Sequence, residues 1–392
     1  MITREDIREL AQFHTNSDES CALSFYFEPR TPQNKSHREE AILAKDLVRK
    51  ALQDAGKNGK NGCGSDLKRV LELAENLHGN QARAKAVFAC NNQNFWREFD
   101  LPAQHAGTQL FLNRQFQLRP LAALLGAQPS LCVVLLDRHR ARIFDLRLDQ
   151  LTEREDLARI RPYREGHSDG FAGYDGGHAQ RRIEDDVLHH FRDLAERLRS
   201  DAERGIFEAL IVACQEVNWH DFEAELHPPV KKLVLGHFSP DGATPSNEEI
   251  REQATRILQQ AQDRRRGELV KEALDQAKAN SRGVTGLRRT LRSLEMGEVQ
   301  TLLIGDNFLE PATQCDNCGH LSPGVSPECS ACGKPARQFA DAGDIIIPLA
   351  IRRNIELFYV KNDPEFENAG NIAALLRFRA DQRKNAELRA AS

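Results

Sequence analysis

Four cysteines fall in two C-x-x-C pairs within one short stretch of the chain. The pairs read C-D-N-C-G-H and C-S-A-C-G-K, and their members are Cys315, Cys318, Cys329 and Cys332. Two such pairs can surround one tetrahedral Zn²⁺ with four thiolates. Because four cysteines fill the coordination shell, the spacing predicts a structural zinc ion, and His320 is surplus to it. The alternative, a disulfide or redox dithiol, needs an oxidising compartment or a thioredoxin-like context, and the sequence offers neither.

A second stretch, residues 166–180, reads G-H-S-D-G-F-A-G-Y-D-G-G-H-A-Q and contains five glycines. It has no hydrophobic period, so it predicts a loop, followed by an amphipathic helix over residues 181–200. Glycine allows close backbone approach, and the flanking charge is basic, which favours phosphate as a partner. The simpler alternative is an ordinary surface loop. The candidate contact residues are Gly176, Gly177, His178, Gln180, Arg181 and Arg182.

Other chemistry-bearing patterns are missing or weak. The sequence contains no catalytic triad, phosphate-binding loop or dinucleotide fingerprint. His189 and His190 follow three acidic residues, but consecutive helical residues point about 100° apart and cannot share one face. We therefore predict a structural or solvent-facing role for this pair.

Length and composition set the broad class. A chain of 392 residues suggests two to four domains, and three is the working number. No window approaches the roughly 20 apolar residues of a membrane span, and the charged N-terminus is unlike a signal peptide, so we expect a cytoplasmic monomer. The net charge of −4 gives no global nucleic-acid signature, so any RNA contact must be local.

The pattern of apolar residues predicts an α/β fold, α+β overall, in three domains. Residues 1–127 form an α/β domain with a helical hairpin, helices 36–55 and 67–77, whose tip carries Lys57 and Lys60. Residues 128–263 alternate strands and helices and end in a helix over 246–262, which Ser246 caps. Residues 264–392 form a third α/β domain with the zinc ribbon, 315–332, inserted. The other five cysteines, Cys21, Cys63, Cys90, Cys132 and Cys214, are scattered and predicted to be buried or idle thiols.

Three segments resemble one family. The segment L-R-S-L-E-M-G-E-V-Q-T-L-L-I (residues 291–304) and the closing segment, residues 356–378, are similar to the third domain of archaeal and eukaryotic class-1 peptide-chain release factors and Pelota. G-Y-D-G-G-H-A-Q-R-R (residues 173–182) is similar to that family's glycine loop. The resemblance points to a bacterial branch with Balon-like ribosome-hibernation factors. It implies a three-domain shape that fits the ribosomal A site, with the glycine loop directed toward the peptidyl-transferase centre.

The departures from the family concern termination itself. His178 stands where the family has the glutamine of its Gly-Gly-Gln tripeptide, and Gln180 comes two residues late. The hairpin tip lacks the family's N-I-K-S tetrad, and of its Y-x-C-x-x-x-F motif only Phe116 remains. Asn34, Lys35 and Ser36 spell a similar tripeptide, but they predict an ordinary helix start. These departures predict no stop-codon reading.

Three hypotheses follow. The first is a factor that occupies the A site of idle or stalled bacterial ribosomes, in hibernation or rescue; the resemblance implies elongation factor Tu or another translational GTPase as an accompanying partner. The second is a divergent release or rescue factor that hydrolyses peptidyl-tRNA with His178 as the candidate catalytic group. The third is an RNA-binding or nuclease module unrelated to ribosomes.

Overall fold

The computed structural model describes residues 2, 4–15, 21–29, 37–57, 63–76, 84–101, 107–121, 130–147, 150–154, 176–240 and 245–380. The chain forms two compact units: residues 1–127 together with 266–392, and residues 128–265. Among the described residues, no helix is long and apolar enough to cross a membrane.

The first 127 residues build an antiparallel sheet and a helical hairpin. Their elements are α1 (Arg4–Gln12), β1 (Ala22–Phe27), α2 (His37–Lys57), α3 (Gly64–Glu75), β2 (Ala84–Cys90), β3 (Phe95–Leu101) and β4 (Gln109–Asn113). The sheet has the order β3-β2-β1-β4. One of its faces packs on α2 and α3 through an apolar cluster that includes Phe25, Val48 and Leu67. The predicted hairpin is present, and Lys57 is the last residue of α2, whereas Lys60 lies outside the described residues.

The central unit has a layered α/β architecture, as predicted. Its elements are β5 (Leu131–Leu136), β6 (Ala141–Arg147), β7 (Gln150–Glu153), α4 (Gly176–Glu203), β8 (Ala209–Ala213), α5 (Glu216–Glu225), α6 (Pro228–Lys231), β9 (Val234–Phe238) and the first part of α7 (Asn247–Lys278). The sheet order is β7-β6-β5-β8-β9, with β5, β8 and β9 parallel. Phe191 and Phe222 lie in the core on one face, and Ile250 and Ala254 of α7 lie in the core on the other. The strands β5 and β8 are apolar almost throughout because helices cover both faces.

Two helices are longer than the sequence predicted. The sequence predicts a loop over residues 176–180 and a helix from Arg181, but α4 begins at Gly176. Each glycine destabilises a helix by about 1 kcal/mol relative to alanine, and the helix-forming residues that follow the glycines offset this cost. The sequence also predicts a helix that ends at Gln262, whereas α7 continues to Lys278 through D-R-R-R-G-E-L. A single Gly267 costs about the same amount, which strong helix formers on both sides outweigh. The remainder of the predicted loop, residues 166–175, lies outside the described residues.

The third segment carries a mixed sheet and a small separate sheet. Its elements are β10 (Gly283–Thr285), α8 (Leu287–Glu295), β11 (Val299–Gly305), β12 (Ala312–Cys315), β13 (Leu321–Pro323), β14 (Ala336–Phe339), α9 (Gly343–Arg352), β15 (Glu356–Val360), α10 (Pro364–Asn368) and β16 (Ile372–Leu376). The larger sheet has the order β10-β16-β11-β15, and the smaller has the order β13-β12-β14. The predicted strands 299–305 and 356–360 are confirmed.

The two ends of the chain share one core. Tyr26 and Phe88 of the first sheet lie in the same apolar cluster as Leu291, Leu302 and Ile346 of the third segment. This cluster buries the sheet face that α2 and α3 leave open. Residues 1–127 and 266–392 are therefore packed as one body, although the central unit separates them in sequence.

Polar contacts reinforce this shared core around Arg119. Its Nη1 lies 2.6 Å from Asp341 Oδ2, and its Nη2 donates to the carbonyl oxygens of Asp306 and Phe308 at 2.9 Å each. Gln117 donates from Nε2 to Asp344 Oδ1 at 2.6 Å. Arg119 of the first segment is thus hydrogen-bonded to one carboxylate and two backbone carbonyl groups of the third segment.

Candidate functional site

Each C-x-x-C pair forms a tight turn that ends in glycine. Cys315 is the last residue of β12, and its carbonyl oxygen accepts from the N–H of Gly319 at 2.9 Å; the carbonyl of Cys329 accepts in the same way from Gly333, also at 2.9 Å. Gly319 and Gly333 have φ values of +75° and +70°. Side chains with a Cβ rarely adopt this conformation, so the glycine after each pair is a structural requirement of the turn.

The two turns bring the four sulfur atoms together. All four Sγ atoms lie within 4.8 Å of one another, with 3.5 Å between Cys315 and Cys332 and 3.6 Å between Cys318 and Cys329. A tetrahedral ion with Zn–S distances of about 2.3 Å would hold its sulfurs about 3.8 Å apart. The cysteines predicted to share one site do share it, and their spacing suits a single metal ion.

Backbone dipoles favour a thiolate in this cluster. The pKa of Cys315 is lowered to about 6, first because the backbone N–H of Cys318 donates to its sulfur. A hydrogen bond from the N–H of His320 likewise lowers the pKa of Cys318. Burial and the neighbouring sulfurs raise that pKa by more, so it lies at about 12. One thiolate therefore forms readily at neutral pH, whereas several thiolates together need the positive charge of a metal ion.

A polar bridge between the two turns was not predicted. Asn317 lies in the first turn and donates from Nδ2 to the Sγ of Cys332 at 3.8 Å. Lys334, just after the second turn, donates from Nζ to Asn317 Oδ1 at 2.8 Å. These contacts orient the cysteines from outside the ligand shell, as outer partners commonly do at metal sites. The only sequence signal for them is their position next to the cysteines.

His320 is held away from the cluster, as expected of a surplus residue. Its Nδ1 lies 2.9 Å from Glu295 Oε1 at the end of α8, and the same carboxylate oxygen accepts from the N–H of Leu321. This contact fixes β13 and the cysteine turns to α8.

A cleft of about 570 Å³ lies beside the cysteine turns. One wall comprises residues 113–117, from the last residue of β4 onward, and the other comprises residues 335–340, which contain β14, together with Asp316. Arg337 crosses part of it, with Nη2 2.9 Å from Asp316 Oδ1. The cleft is open and is lined by both polar and apolar residues. It was not predicted, because residues 113–117 and 335–340 are more than 200 positions apart in the sequence.

The end of the glycine-rich stretch forms the start of α4. Gly176, Gly177, His178, Gln180, Arg181 and Arg182 all lie in the first two turns of this helix. The N–H groups of a first helical turn have no partner within the helix and attract anions. Only the backbone of these six residues is described, and the structure therefore leaves their predicted contacts as predictions.

The two adjacent histidines of α4 face different directions, as the helical geometry predicts. His190 is buried, and burial lowers its pKa, which keeps the ring neutral at pH 7. His189 is exposed, and its Nδ1 lies 2.7 Å from the carbonyl oxygen of Asp185. Neither belongs to a potential metal-binding group in the described part of the chain.

Comparison with solved structures gives distant likenesses over much of the chain. It is similar to the archaeal translation termination factor aRF1, with 17% identity, a TM-score of 0.26 and coverage of 96% of this chain and 99% of that chain. Pelota from Archaeoglobus fulgidus has 16% identity and a TM-score of 0.33, with coverage of 77% of this chain and 81% of Pelota. Dom34 from S. cerevisiae, a termination-like factor of RNA quality control, has 10% identity, a TM-score of 0.40 and coverage of 76% and 80%. At these scores the likenesses carry no conclusion about function.

A family model gives a direct match to the middle of the chain. Residues 117–276 match bacterial archaeo-eukaryotic release factor family 10. This range includes the glycine-rich segment, the whole of α4 and most of α7. The match to this bacterial release-factor family confirms the resemblance that the sequence motifs predicted.

Proposed function

We propose that this protein is a ribosome-binding translation factor that occupies the A site of idle or stalled bacterial ribosomes. The family match over residues 117–276 is the observation that carries the proposal. The matched range contains the glycine-rich segment, which in release factors enters the peptidyl-transferase centre. We infer that the segment points to the same place here, within a three-domain arrangement of residues 1–127, 128–263 and 264–392.

The chemistry of the segment favours occupancy over hydrolysis. Release factors place glutamine after the two glycines to help a water molecule attack the peptidyl-tRNA ester, and here His178 follows Gly177. An imidazole lacks the amide geometry of glutamine, and small misplacements near a reacting atom cost large factors in rate. The absence of the N-I-K-S tetrad supports a factor that does not read stop codons.

Cationic residues provide the contacts in this proposal. Arg181 and Arg182 follow the glycines in the first turns of α4, and Lys57 and Lys60 belong to the hairpin tip, so both regions can neutralise phosphate. Elongation factor Tu or another translational GTPase is the proposed accompanying partner, and the compartment is the cytoplasm.

The four-cysteine cluster is proposed to bind one structural Zn²⁺. Cys315, Cys318, Cys329 and Cys332 would supply all four ligands, so the ion would have no open position and would take no part in catalysis. Its effect would be to hold the two turns and the small sheet in one conformation, since metal binding and folding are coupled in short ribbons.

Two measurements test the proposal. The first is co-sedimentation with purified 70S ribosomes over a salt series, comparing wild type with the Arg181→Ala/Arg182→Ala double variant. Counterion release predicts weaker binding and a smaller salt dependence for the double variant. A matched control is Arg192→Ala/Arg199→Ala, because these arginines of the same helix are already paired with glutamates. Wild-type protein that stays in the supernatant at low salt would refute ribosome binding.

The second measurement is single-turnover release of peptide from peptidyl-tRNA on ribosomes, with wild type, His178→Ala and His178→Gln. We expect no release by the wild type and unchanged ribosome binding by His178→Ala. Release by the wild type that falls by a factor on the order of 10² to 10⁴ in His178→Ala would instead identify the divergent release factor, with His178 as a general base or water-orienting group. Release by His178→Gln alone would indicate an A-site scaffold that has lost its catalytic group.

A further inference from the structure

The helix α8 presents three arginines on its outer face. Leu287, Thr290, Leu291, Ser293 and Leu294 are buried. Arg288, Arg289 and Arg292 are exposed. Residues three and four apart on a helix are neighbours, so these side chains form one compact cationic group.

Two further arginines extend this group past the end of the helix. Glu298 donates its N–H to the carbonyl oxygen of Ser293 in α8, and its own carbonyl accepts from the N–H of Arg377 at 2.7 Å. Arg282 lies next to the same strand end, because its carbonyl accepts from the N–H of Leu376 at 2.8 Å. Arg282 and Arg377 are both exposed. We call Arg282, Arg288, Arg289, Arg292 and Arg377 the arginine surface.

No acid among the described residues pairs with the arginine surface. Within the part of the chain that the structure describes, none of its five guanidinium groups makes a hydrogen bond or an ion pair. The nearby carboxylate of Glu295 is engaged by His320 and the N–H of Leu321, and that of Glu298 is buried and accepts from the N–H of Ala380 at 2.8 Å. By contrast, Arg154 contacts two aspartates, Asp145 and Asp201. Within the described residues this positive charge therefore has no ion-pair partner, although the net charge of the chain is −4.

An exposed aromatic ring adjoins the charge. Phe378 follows Arg377 and is 43% exposed, and Met296, just after α8, is 56% exposed. Guanidinium groups bind phosphate through paired hydrogen bonds, and an aromatic face can stack on an unpaired base. A positive surface that tracks the backbone, with an aromatic side chain on which a base can stack, is the combination that binds single-stranded nucleic acid.

We propose that the arginine surface binds the phosphate backbone of RNA, with Phe378 stacked on an unpaired base. This proposal adds an RNA contact in the third segment to the proposed function. It rests on the proposed function for the identity of the RNA, which is ribosomal RNA. Each arginine that neutralises one phosphate contributes about 0.7 to 0.9 to the slope of log affinity against log salt.

The test compares Arg288→Gln/Arg289→Gln/Arg292→Gln with a control of equal charge change, Arg192→Gln/Arg199→Gln/Arg251→Gln, whose arginines are surface residues paired with glutamates. Dissociation constants are measured over a salt series for 70S ribosomes and for protein-free ribosomal RNA. For the α8 variant we expect weaker binding to both, on the order of tenfold or more, and a salt slope smaller by about 2 to 3. Phe378→Ala should weaken binding without changing the slope.

The outcomes separate this inference from the proposed function. If wild type binds ribosomes and the α8 variant binds with the same affinity and slope, the arginine surface is not an RNA contact, while the proposed function stands. Loss of binding to ribosomes with unchanged binding to free ribosomal RNA would overturn the RNA proposal and assign the arginines to an acidic ribosomal protein. Wild type that binds free RNA through the arginine surface but not ribosomes would refute the proposed function alone.

Discussion

Replacing Arg119 with methionine should destabilise the unit formed by the two ends of the chain. The arginine joins the first segment to Asp341, Asp306 and Phe308 of the third through three hydrogen bonds of 2.6 to 2.9 Å. Methionine retains much of the side-chain volume but donates to none of these groups. The Arg119→Met variant therefore tests the polar contacts rather than the packing.

The expected cost follows from the burial of the partners. The side chains of Arg119 and Asp341 are 24% and 14% exposed, so the pair is closer to a buried ion pair than to a surface one. Removing one member of a buried pair costs about 3 to 5 kcal/mol, and the partial exposure places the expected loss near the lower limit, about 3 kcal/mol. If the free energy of unfolding falls by about 3 kcal/mol per M of urea, this loss should lower the urea concentration at the unfolding midpoint by about 1 M.

The two tryptophans allow each unit to be followed separately. Trp96 belongs to the unit formed by the chain ends and lies 3.9 Å beneath the guanidinium of Arg69, whereas Trp219 belongs to the central unit and stacks on His237 at 4.5 Å. In a Trp219→Phe background, fluorescence during urea unfolding reports on Trp96 alone. The midpoint of that transition is the quantity to compare.

The matched control is Arg49→Met. Arg49 pairs with Glu75 at 3.6 Å, and both side chains are about half exposed, so its loss should shift the midpoint by less than about 0.2 M. A double-mutant cycle with Asp341→Asn isolates the direct interaction, and the arginine substitution should cost less in that background. If Arg119→Met shifts the midpoint no more than Arg49→Met does, the contacts around Arg119 do not stabilise the shared core.

Three further predictions concern other parts of the chain. Elemental analysis should find about one zinc per chain in the wild type and in Cys21→Ser, but almost none in Cys329→Ser; wild type without zinc after purification free of chelators would contradict the structural metal. Ser246→Ala should lower the free energy of unfolding of the central unit by about 1 kcal/mol, because the N–H of Glu249 donates to the Ser246 hydroxyl at 3.1 Å. Ser246→Thr keeps a hydroxyl and should retain most of this free energy. Both variants are measured by unfolding followed with Trp219 fluorescence. Burial raises the pKa of Asp344, so ionisation of this carboxyl opposes folding as pH rises through that pKa. The melting temperature of Asp344→Asn should match that of the wild type near pH 4 and exceed it at pH 7. Equal melting temperatures of the two proteins at both pH values would refute the destabilising role of the ionised carboxyl.

Local patterns predicted most of the strands and the cysteine site. Fully apolar runs such as L-C-V-V-L-L indicate strands covered on both faces, and β5 is such a strand. The two C-x-x-C pairs predicted one four-sulfur site, and the structure brings the four sulfur atoms together. In both cases the residues that determine the structure are adjacent in sequence.

Features that depend on distant segments were not predicted. Nothing near Arg119 in sequence indicates a partner more than 200 residues away, and the bridge from Lys334 to Asn317 forms only after both cysteine turns have folded. The end of α7 was predicted too early because D-R-R-R-G-E-L has a high charge and one glycine, although its residues are good helix formers. The arginines of α8 were visible as R-R-x-x-R, but their lack of partners is evident only in three dimensions.

The shared core of the chain ends has a consequence for synthesis. While the ribosome makes this protein, residues 1–127 emerge first, but the third-segment residues that cover the open face of their sheet follow only after the central unit. At roughly 5 to 20 residues per second, translation of residues 128–265 takes roughly 7 to 30 s. During this interval Tyr26, Phe88 and their apolar neighbours lack their final partners, and the nascent chain offers chaperones a hydrophobic surface that the finished protein does not expose.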